Sequence, residues 1–359
     1  MNTKKFASKI ISISMAAIAL AFAGCSKKTS ETKTDAPKTN TENPRLKEVV
    51  VYAYDSFTGE WGPGPELTKI FNESSGYTLT LVDCGDAVQA FNRAVLEKDN
   101  VQADVIIGID NSLASKAREA GILEAYEPKD ARKIIPSNVQ DELGNDFLLT
   151  AYDYGHFAMI YDSQSSVAAP ASLNDLTKDI YRKKIILMDP RTSTPGLGFV
   201  AWTVAVFGDR YLDFWKELEP NILTMTSGWS EGWGMFQEGE APLCISYTTS
   251  PAYNVEYENN DRYKTILFDE GHVEQVEGYG LLKNAPNPEG AKVFMDFLIS
   301  KEAQTTLPLT QWMYPVNSEI VLPQSYATAA PLPKKTLATD SNATQNAVDK
   351  IIEQLSLNK

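Results

Sequence analysis

The chain has 359 residues, with 33 basic and 47 acidic side chains and a formal net charge of −14 at pH 7. This acidic balance argues against nucleic acid as a partner. With His156 and His272 as the only histidines, and no HExxH or CxxC motif, the sequence gives no support for a zinc or iron site.

The first 24 residues have the three parts of a secretory signal: a basic start, an apolar run from Ile10 to Phe22, and the small pair Ala23-Gly24. The run is too short for a permanent membrane span. Phe22 to Cys25 is similar to a bacterial lipobox, although many lipoboxes have leucine where Phe22 stands. We predict a signal peptide (1–24), a lipidated Cys25 with a polar tether (25–45), and a periplasmic or other extracytoplasmic location on a bacterial membrane. The alternative is cleavage near Ala23 that leaves Cys25 as a free thiol.

From Glu48 onwards, short apolar strands alternate with amphipathic helices. The first series predicts strands at EVVVYAY, TLTLVD and ADVIIGI, with helices at 65–72 and 86–98 between them. The second series predicts a strand at KKIILMD, helices at 195–207 and after Trp229, a strand at PLCISY, and a helix after Ser250. This alternation is the βαβ pattern of an α/β fold with a largely parallel sheet.

Two long extended segments separate and follow these series: FLLTAYDYGHFAMIYD and HVEQVEGYGLLK. A helix over 288–299 and a final helix with apolar residues at helical spacing come after them. We therefore predict one domain (46–359) of two lobes. The first lobe would comprise about 46–152 plus about 270–359, and the second about 155–268.

Hydroxyl residues followed by proline mark the starts of two predicted helices, at Ser193-Thr194-Pro195 and at Thr248-Thr249-Ser250-Pro251. The segment 228–231 predicts a third start. The first N–H groups of a helix attract anions and polar ligand atoms. The alternative is that these are ordinary caps, each worth about 1 kcal/mol to folding.

Aromatic residues are dense near the predicted strand ends, where they can stack on a ring or face a cation. They are Tyr52, Tyr54, Phe57, Trp61, Tyr152, Tyr154, Trp229, Trp233, Tyr247, Tyr253, Trp312 and Tyr314. Aspartates also follow these strands, at positions 55, 86, 110, 153 and 189. Cys84 is the one candidate nucleophile, but its apolar neighbours, like those of Cys244, favour a buried free thiol.

Eight motifs of this chain, in order, resemble the bacterial thiamine-binding proteins of ABC importers. They are YDSFTGEWGPGP, ADVIIGIDN, DYGHFAMIYD, DPRTSTPGLG, GWSEGWGMF, SYTTSPAY, EGH and QWMYPV. The resemblance extends from about Val49 to the C-terminal helix. It implies a type II periplasmic-binding-protein fold, with the ligand cleft between two lobes.

The resemblance also implies a function without catalysis: capture of thiamine or a thiamine phosphate and its delivery to a membrane permease. No resident cofactor or metal is expected, and the protein is expected to be a monomer. The implied ligand-binding residues are Asp86, Ala87, Ser193, Thr194, Trp229, Tyr247, Thr248, Thr249 and Ser250. Tyr54, Asp55, Tyr154, Tyr253 and Trp312 are further candidates for the cleft.

The sequence departs from the family at Gly85-Asp86-Ala87, where relatives often have Glu-Asp-Gly, and this puts the fine specificity of the site in doubt. Two other functions stay open at this point. One is a thiaminase-like transferase with Cys84 as nucleophile, since thiaminases resemble the same fold. The other is a ferric-ion or polyamine binder that uses tyrosines or acids in the same cleft.

Overall fold

The computed structural model describes residues 44–357. The predicted signal peptide, Cys25 and most of the predicted tether lie outside these residues. The last two tether residues begin a short 3₁₀ helix, Pro44–Lys47, which leads directly into the first strand. Among the described helices, none combines the length and the apolar character that a membrane crossing requires.

The strands of the described chain join into one sheet system. Their bounds are β1 Glu48–Ala53, β2 Thr78–Asp83, β3 Val105–Asp110, β4 Leu123–Glu124, β5 Thr150–Asp162, β6 Ile185–Met188, β7 Ile222–Thr226, β8 Leu243–Tyr247, β9 Tyr263–Ile266, β10 His272–Leu282, β11 Tyr314–Pro315 and β12 Thr336–Leu337.

Helices cover both series of strands. Their bounds are α1 Asp55–Thr58, α2 Gly64–Ser75, α3 Ala87–Leu96, α4 Ala114–Ala120, α5 Ala131–Ile134, α6 Ser137–Leu143, α7 Thr194–Phe207, α8 Tyr211–Leu218, α9 Trp229–Gln237, α10 Pro251–Glu258, α11 Pro288–Leu298, α12 Lys301–Gln304, α13 Leu307–Thr310, α14 Gln324–Ala329 and α15 Ser341–Leu357. Shorter 3₁₀ turns lie at Asn174–Thr177, Asp179–Tyr181, Gly208–Arg210 and Glu219–Asn221.

The long strands β5 and β10 join the two halves of the fold. The main strand order is β2-β1-β3-β10-β5-β8-β6-β7. Pairing is parallel within the first series (β1 with β2 and β3) and within the second (β6 with β7 and β8). It is antiparallel where β10 meets β3 and β5, and where β5 meets β8. The sheet is therefore mixed rather than largely parallel, because β5 and β10 return through the middle without a helical crossover.

The C-terminal helix contacts elements of both series. α15 packs against α7 and α8 of the second series and also contacts α4 of the first. Gln354 Nε2 donates a hydrogen bond to the carbonyl oxygen of Leu212 in α8, at 3.1 Å. The amphipathic pattern predicts this helix correctly, but it does not specify the neighbour on which the apolar face packs.

Candidate functional site

A cavity of about 370 Å³ lies where strands of both series end. Tyr54 follows β1, Asp86 follows β2, and Trp229 begins the helix after β7. Ligands of α/β proteins bind at this edge, beyond the carboxyl ends of the strands. The cavity brings together most of the residues expected in the cleft: Tyr54, Asp86, Ala87, Thr194, Trp229, Tyr247, Ser250, Tyr253 and Trp312.

Five residues expected in the cleft do not line it: Ser193, Thr248, Thr249, Asp55 and Tyr154. Ser193, Thr248 and Thr249 are buried, next in sequence to the lining residues Thr194 and Ser250. Asp55 begins α1, where one of its oxygens accepts a hydrogen bond from the N–H of Ser56 at 2.6 Å. Tyr154 stacks on Tyr314, with ring centroids 5.6 Å apart.

Asp86 lies at the meeting point of three helix N-termini. Its Oδ1 accepts hydrogen bonds from the N–H of Ala87, at 2.7 Å, and from that of Thr194, at 3.1 Å. Its Oδ2 accepts one from the N–H of Trp229, at 3.1 Å. These residues begin α3, α7 and α9 respectively, so the partial positive ends of three helices converge on one carboxylate.

Burial and hydrogen bonding act on Asp86 in opposite directions. Burial disfavours its charged form and raises the pKa of the carboxyl to about 6, although the N–H groups of Trp229 and Thr194 favour ionisation. The N–H of Asp86 itself donates to Gln89 Oε1 at 2.8 Å, which completes a capping box on α3. The side chain is thus held by its own helix and by two helices of the second series.

The hydroxyls expected to cap α7 and α10 do not do so. Neither Ser193 nor Ser250 makes a side-chain cap hydrogen bond. Ser250 Oγ instead lies 2.7 Å from Ser246 Oγ, which in turn accepts a hydrogen bond from Trp229 Nε1 at 2.8 Å. The Ser250 hydroxyl therefore helps to orient a tryptophan of the cavity wall.

Aromatic rings form two walls of the cavity. On one side, Trp229 stacks on Trp233, with centroids 5.7 Å apart and an interplanar angle of 10°, and Trp61 approaches Trp229 to 5.9 Å. On the other side, Trp312 packs edge-on against Tyr253, at 5.5 Å. Trp312 has φ +59°, a left-handed conformation that bulky residues seldom adopt. Such strain is typical of functional sites, where the surrounding packing maintains it.

Two lining residues that were not expected from the sequence, Glu277 and Gln311, contact the predicted residue Tyr54. Tyr54 Oη donates to Glu277 Oε2 at 2.6 Å and lies 2.5 Å from Tyr152 Oη. Gln311 Nε2 donates to Tyr54 Oη at 2.5 Å. Glu277 is an acidic residue inside the otherwise apolar strand VEGYGLL, and this position was the sequence signal that could have indicated a functional role.

The other lining residues outside the predicted set are Ser56, Trp61, Pro195, Ser230, Trp233, Gly234, Gln237, Glu258 and Met313. The charged residues of the lining are all acidic: Asp86, Glu258 and Glu277. Within residues 44–357, no group of His, Cys, Asp or Glu side chains is arranged to hold a metal ion. An aromatic and acidic cavity of this kind suits an organic cation with flat rings.

Comparisons with known proteins give the family of the chain. The family of bacterial extracellular solute-binding proteins matches residues 100–343. The chain belongs to this family. It is 38% identical over 291 residues to the thiamine-binding periplasmic protein of Brucella abortus, a match that covers 80% of this chain and 85% of the relative. The thiamine-binding periplasmic protein of Escherichia coli is 39% identical over 278 residues, covering 77% and 83% of the two chains.

A solved structure is similar to this solute-binding protein over most of its chain. The structure titled "Periplasmic thiamin binding protein" matches with a TM-score of 0.78 and 35% identity, over 86% of this chain and 95% of that one. The expectation of a two-lobed type II periplasmic-binding-protein fold is confirmed, and so is the resemblance on which it rested. The relatives are named as periplasmic binding proteins, in keeping with a periplasmic, substrate-binding role.

Proposed function

We propose that this solute-binding protein captures thiamine or a thiamine phosphate in its cleft and delivers it to the permease of an ABC importer. The observation that carries the proposal is the cavity itself, which has aromatic walls and carboxylic acids as its charged lining residues. Thiamine combines two flat rings with a fixed positive charge, and both features match such a lining.

The proposed binding residues are those of the sequence analysis that line the cavity. Trp229 and Tyr247 face the rings of the ligand. Asp86 faces the positive or N–H edge of the ligand. The helix starts at Ser193-Thr194 and at Thr248 to Ser250 would hold its hydroxyl or phosphate end. The predicted lobe limits, a monomeric state and a lipid anchor on Cys25 are parts of the same proposal.

The position of Cys84 favours binding over a thiaminase-like reaction. Cys84 does not line the cavity, and its Sγ donates to the carbonyl oxygen of Val82, at 3.4 Å. Burial raises the pKa of this thiol, although Arg93 opposes the shift, so the thiol form is favoured over the nucleophilic thiolate. Incubation with thiamine and an added nucleophile should therefore release no thiazole.

Titration calorimetry tests the binding proposal. We expect saturable heats with thiamine or one of its phosphates, and none with ferric ion or spermidine. Silence with every thiamine form would overturn the proposal. Release of thiazole in the nucleophile assay would replace the binding role with an enzymatic one.

A further inference from the structure

Three acidic residues lie in register across the middle of the sheet. Glu277 on β10 is paired directly with Asp110 on β3 and with Asp153 on β5. Residues directly opposite each other in antiparallel strands project to the same face of the sheet. The three carboxyl groups therefore form a row below the cavity. Asp110 and Asp153 are fully buried, and Glu277, which also lines the cavity, is 4% exposed.

The row has more acceptor atoms than donors to satisfy them. Glu277 Oε2 accepts from the hydroxyls of Tyr54 and Tyr152, and Oε1 accepts from Gln275 Nε2 at 3.0 Å. In contrast, among residues 44–357 no donor forms a well-aligned hydrogen bond with either carboxyl oxygen of Asp153 or with Oδ2 of Asp110. The nearby Tyr152 and Gln311 side chains only partly offset the effect of burial on the pKa of Asp153. Burial of an unpaired carboxylate is costly, so this arrangement requires either protons or a cation.

The titratable groups that influence Glu277 come from several strands and from the residue before α3. They are Tyr54 after β1, Asp110 on β3, Tyr152 and Asp153 on β5, Asp86 before α3, and Tyr247 at the end of β8. All of them are acids or phenols, and the cavity lining supplies no basic side chain.

Burial is the main influence on the protonation of these carboxyl groups. It raises the pKa of Glu277 to about 7 and that of Asp110 to about 8, and it holds the pKa of Asp153 well above its ordinary range. The row therefore holds protons in the ligand-free cleft at and below neutral pH. Only Glu277 both belongs to the row and lines the cavity.

We propose that Glu277 is the counter-ion of the ligand's fixed positive charge and that it gives up a proton to the solvent when the ligand binds. This inference rests on the proposed function. In the exchange the O–H bond of the Glu277 carboxyl breaks, the proton passes to the buffer, and the carboxylate faces the thiazolium. Asp110 and Asp153 keep their protons, so the row contributes a single negative charge opposite the positive charge of the ligand.

Calorimetry in two buffers of different ionisation enthalpy, at the same pH, counts the protons released. Near pH 6.5 we expect between about half a proton and one proton per thiamine bound by the unaltered protein. The same linkage predicts that affinity falls by up to about tenfold as the pH is lowered from 7 to 6, because Glu277 must lose its proton to bind. A neutral thiamine analogue with a thiophene ring should bind more weakly and release no proton.

The variant E277Q isolates this group, and E256Q is its matched control, because Glu256 is exposed on α10. We expect E277Q to bind thiamine more weakly, without proton release and with a shallower pH dependence, whereas E256Q keeps the unaltered behaviour. Circular dichroism checks the folding of each variant. The proton count of the unaltered protein tests the inference even if E277Q does not fold.

Three results would overturn the inference. Thiamine binding without proton release would refute it and leave the proposed function intact. An unchanged proton count in folded E277Q would assign the proton to another group. Absence of heat with every thiamine form would remove the proposed function, and this inference with it.

Discussion

Asp86 connects the two halves of the molecule through a single carboxylate. It caps its own helix in the first series and accepts backbone hydrogen bonds from Thr194 and Trp229 in the second. The backbone of the second series comes close enough that a Cβ at Gly228 would lie 3.2 Å from Asp86 Oδ2. The two halves of the molecule therefore meet at this carboxylate.

Replacement of Asp86 with asparagine should weaken the contact between the two halves of the fold. The amide keeps one acceptor oxygen but turns an NH₂ group towards backbone N–H donors. Hydrogen bonds to a charged group are worth about 1.5–3 kcal/mol, so we expect D86N to bind thiamine about 10- to 100-fold more weakly in calorimetry. The control is D209N, because Asp209 is exposed and outside the cavity. Equal affinity of D86N and the unaltered protein would contradict the prediction.

The sequence predicts some of the cavity residues and misses others, for a physical reason. Asp86, Thr194 and Trp229 lie at helix starts that local patterns reveal, and the family resemblance assigns them to the cleft. Glu277 and Gln311 reach the cavity only through the register of β10 and the path of the chain after α13. Pairing between distant strands depends on tertiary contacts, which no local pattern encodes.

At the scale of elements, local patterns specify the strands and helices better than their partners. Predicted helices at 65–72 and 195–207 correspond to Gly64–Ser75 and Thr194–Phe207. Local patterns did not predict that β5 and β10 join the sheet in antiparallel pairing, or that α15 packs on α7. These features depend on contacts between segments far apart in the chain.

Close packing between α7 and β5 leads to a prediction at this scale. The Cβ that alanine would add at Gly198 in α7 lies 2.1 Å from Cε2 of Phe157, a buried ring that packs against Tyr247 of the cavity wall. We expect G198A to lower the free energy of unfolding by about 1–3 kcal/mol, because the added methyl overpacks the core.

Gly234 in α9 provides the matched control, since a Cβ there meets nothing within 4 Å. G234A should raise the free energy of unfolding by about 0.5–1 kcal/mol, because alanine restricts the unfolded chain and favours the helix. Urea denaturation of both variants measures the difference. Equal effects of the two substitutions would show that the packing of α7 on β5 is looser than described.

At the scale of the whole molecule, aromatic contacts join the two halves of the fold in addition to the hydrogen bonds of Asp86. Trp61 approaches Trp229 on one side of the cleft, and Trp312 packs against Tyr253 and Tyr257 of α10 on the other. The α14 segment packs on α10 behind this second contact. Ligand binding would thus be stabilised by contacts on both sides of the cleft, with the Asp86 hydrogen bonds between the lobes.

The proposed attachment of this body to a membrane can be tested at Cys25. Cys25 precedes the described body, which begins at Pro44, so a lipid on Cys25 would hold the protein without altering the cleft. Expressed with its signal in a bacterium, the unaltered protein should incorporate labelled palmitate and sediment with membranes. C25S should lose both properties, yet bind thiamine with unchanged affinity. C84S, which removes the half-buried thiol of the folded body, should keep the lipid. Mass spectrometry that finds an unmodified Cys25 in a chain cleaved near Ala23 would refute the anchor.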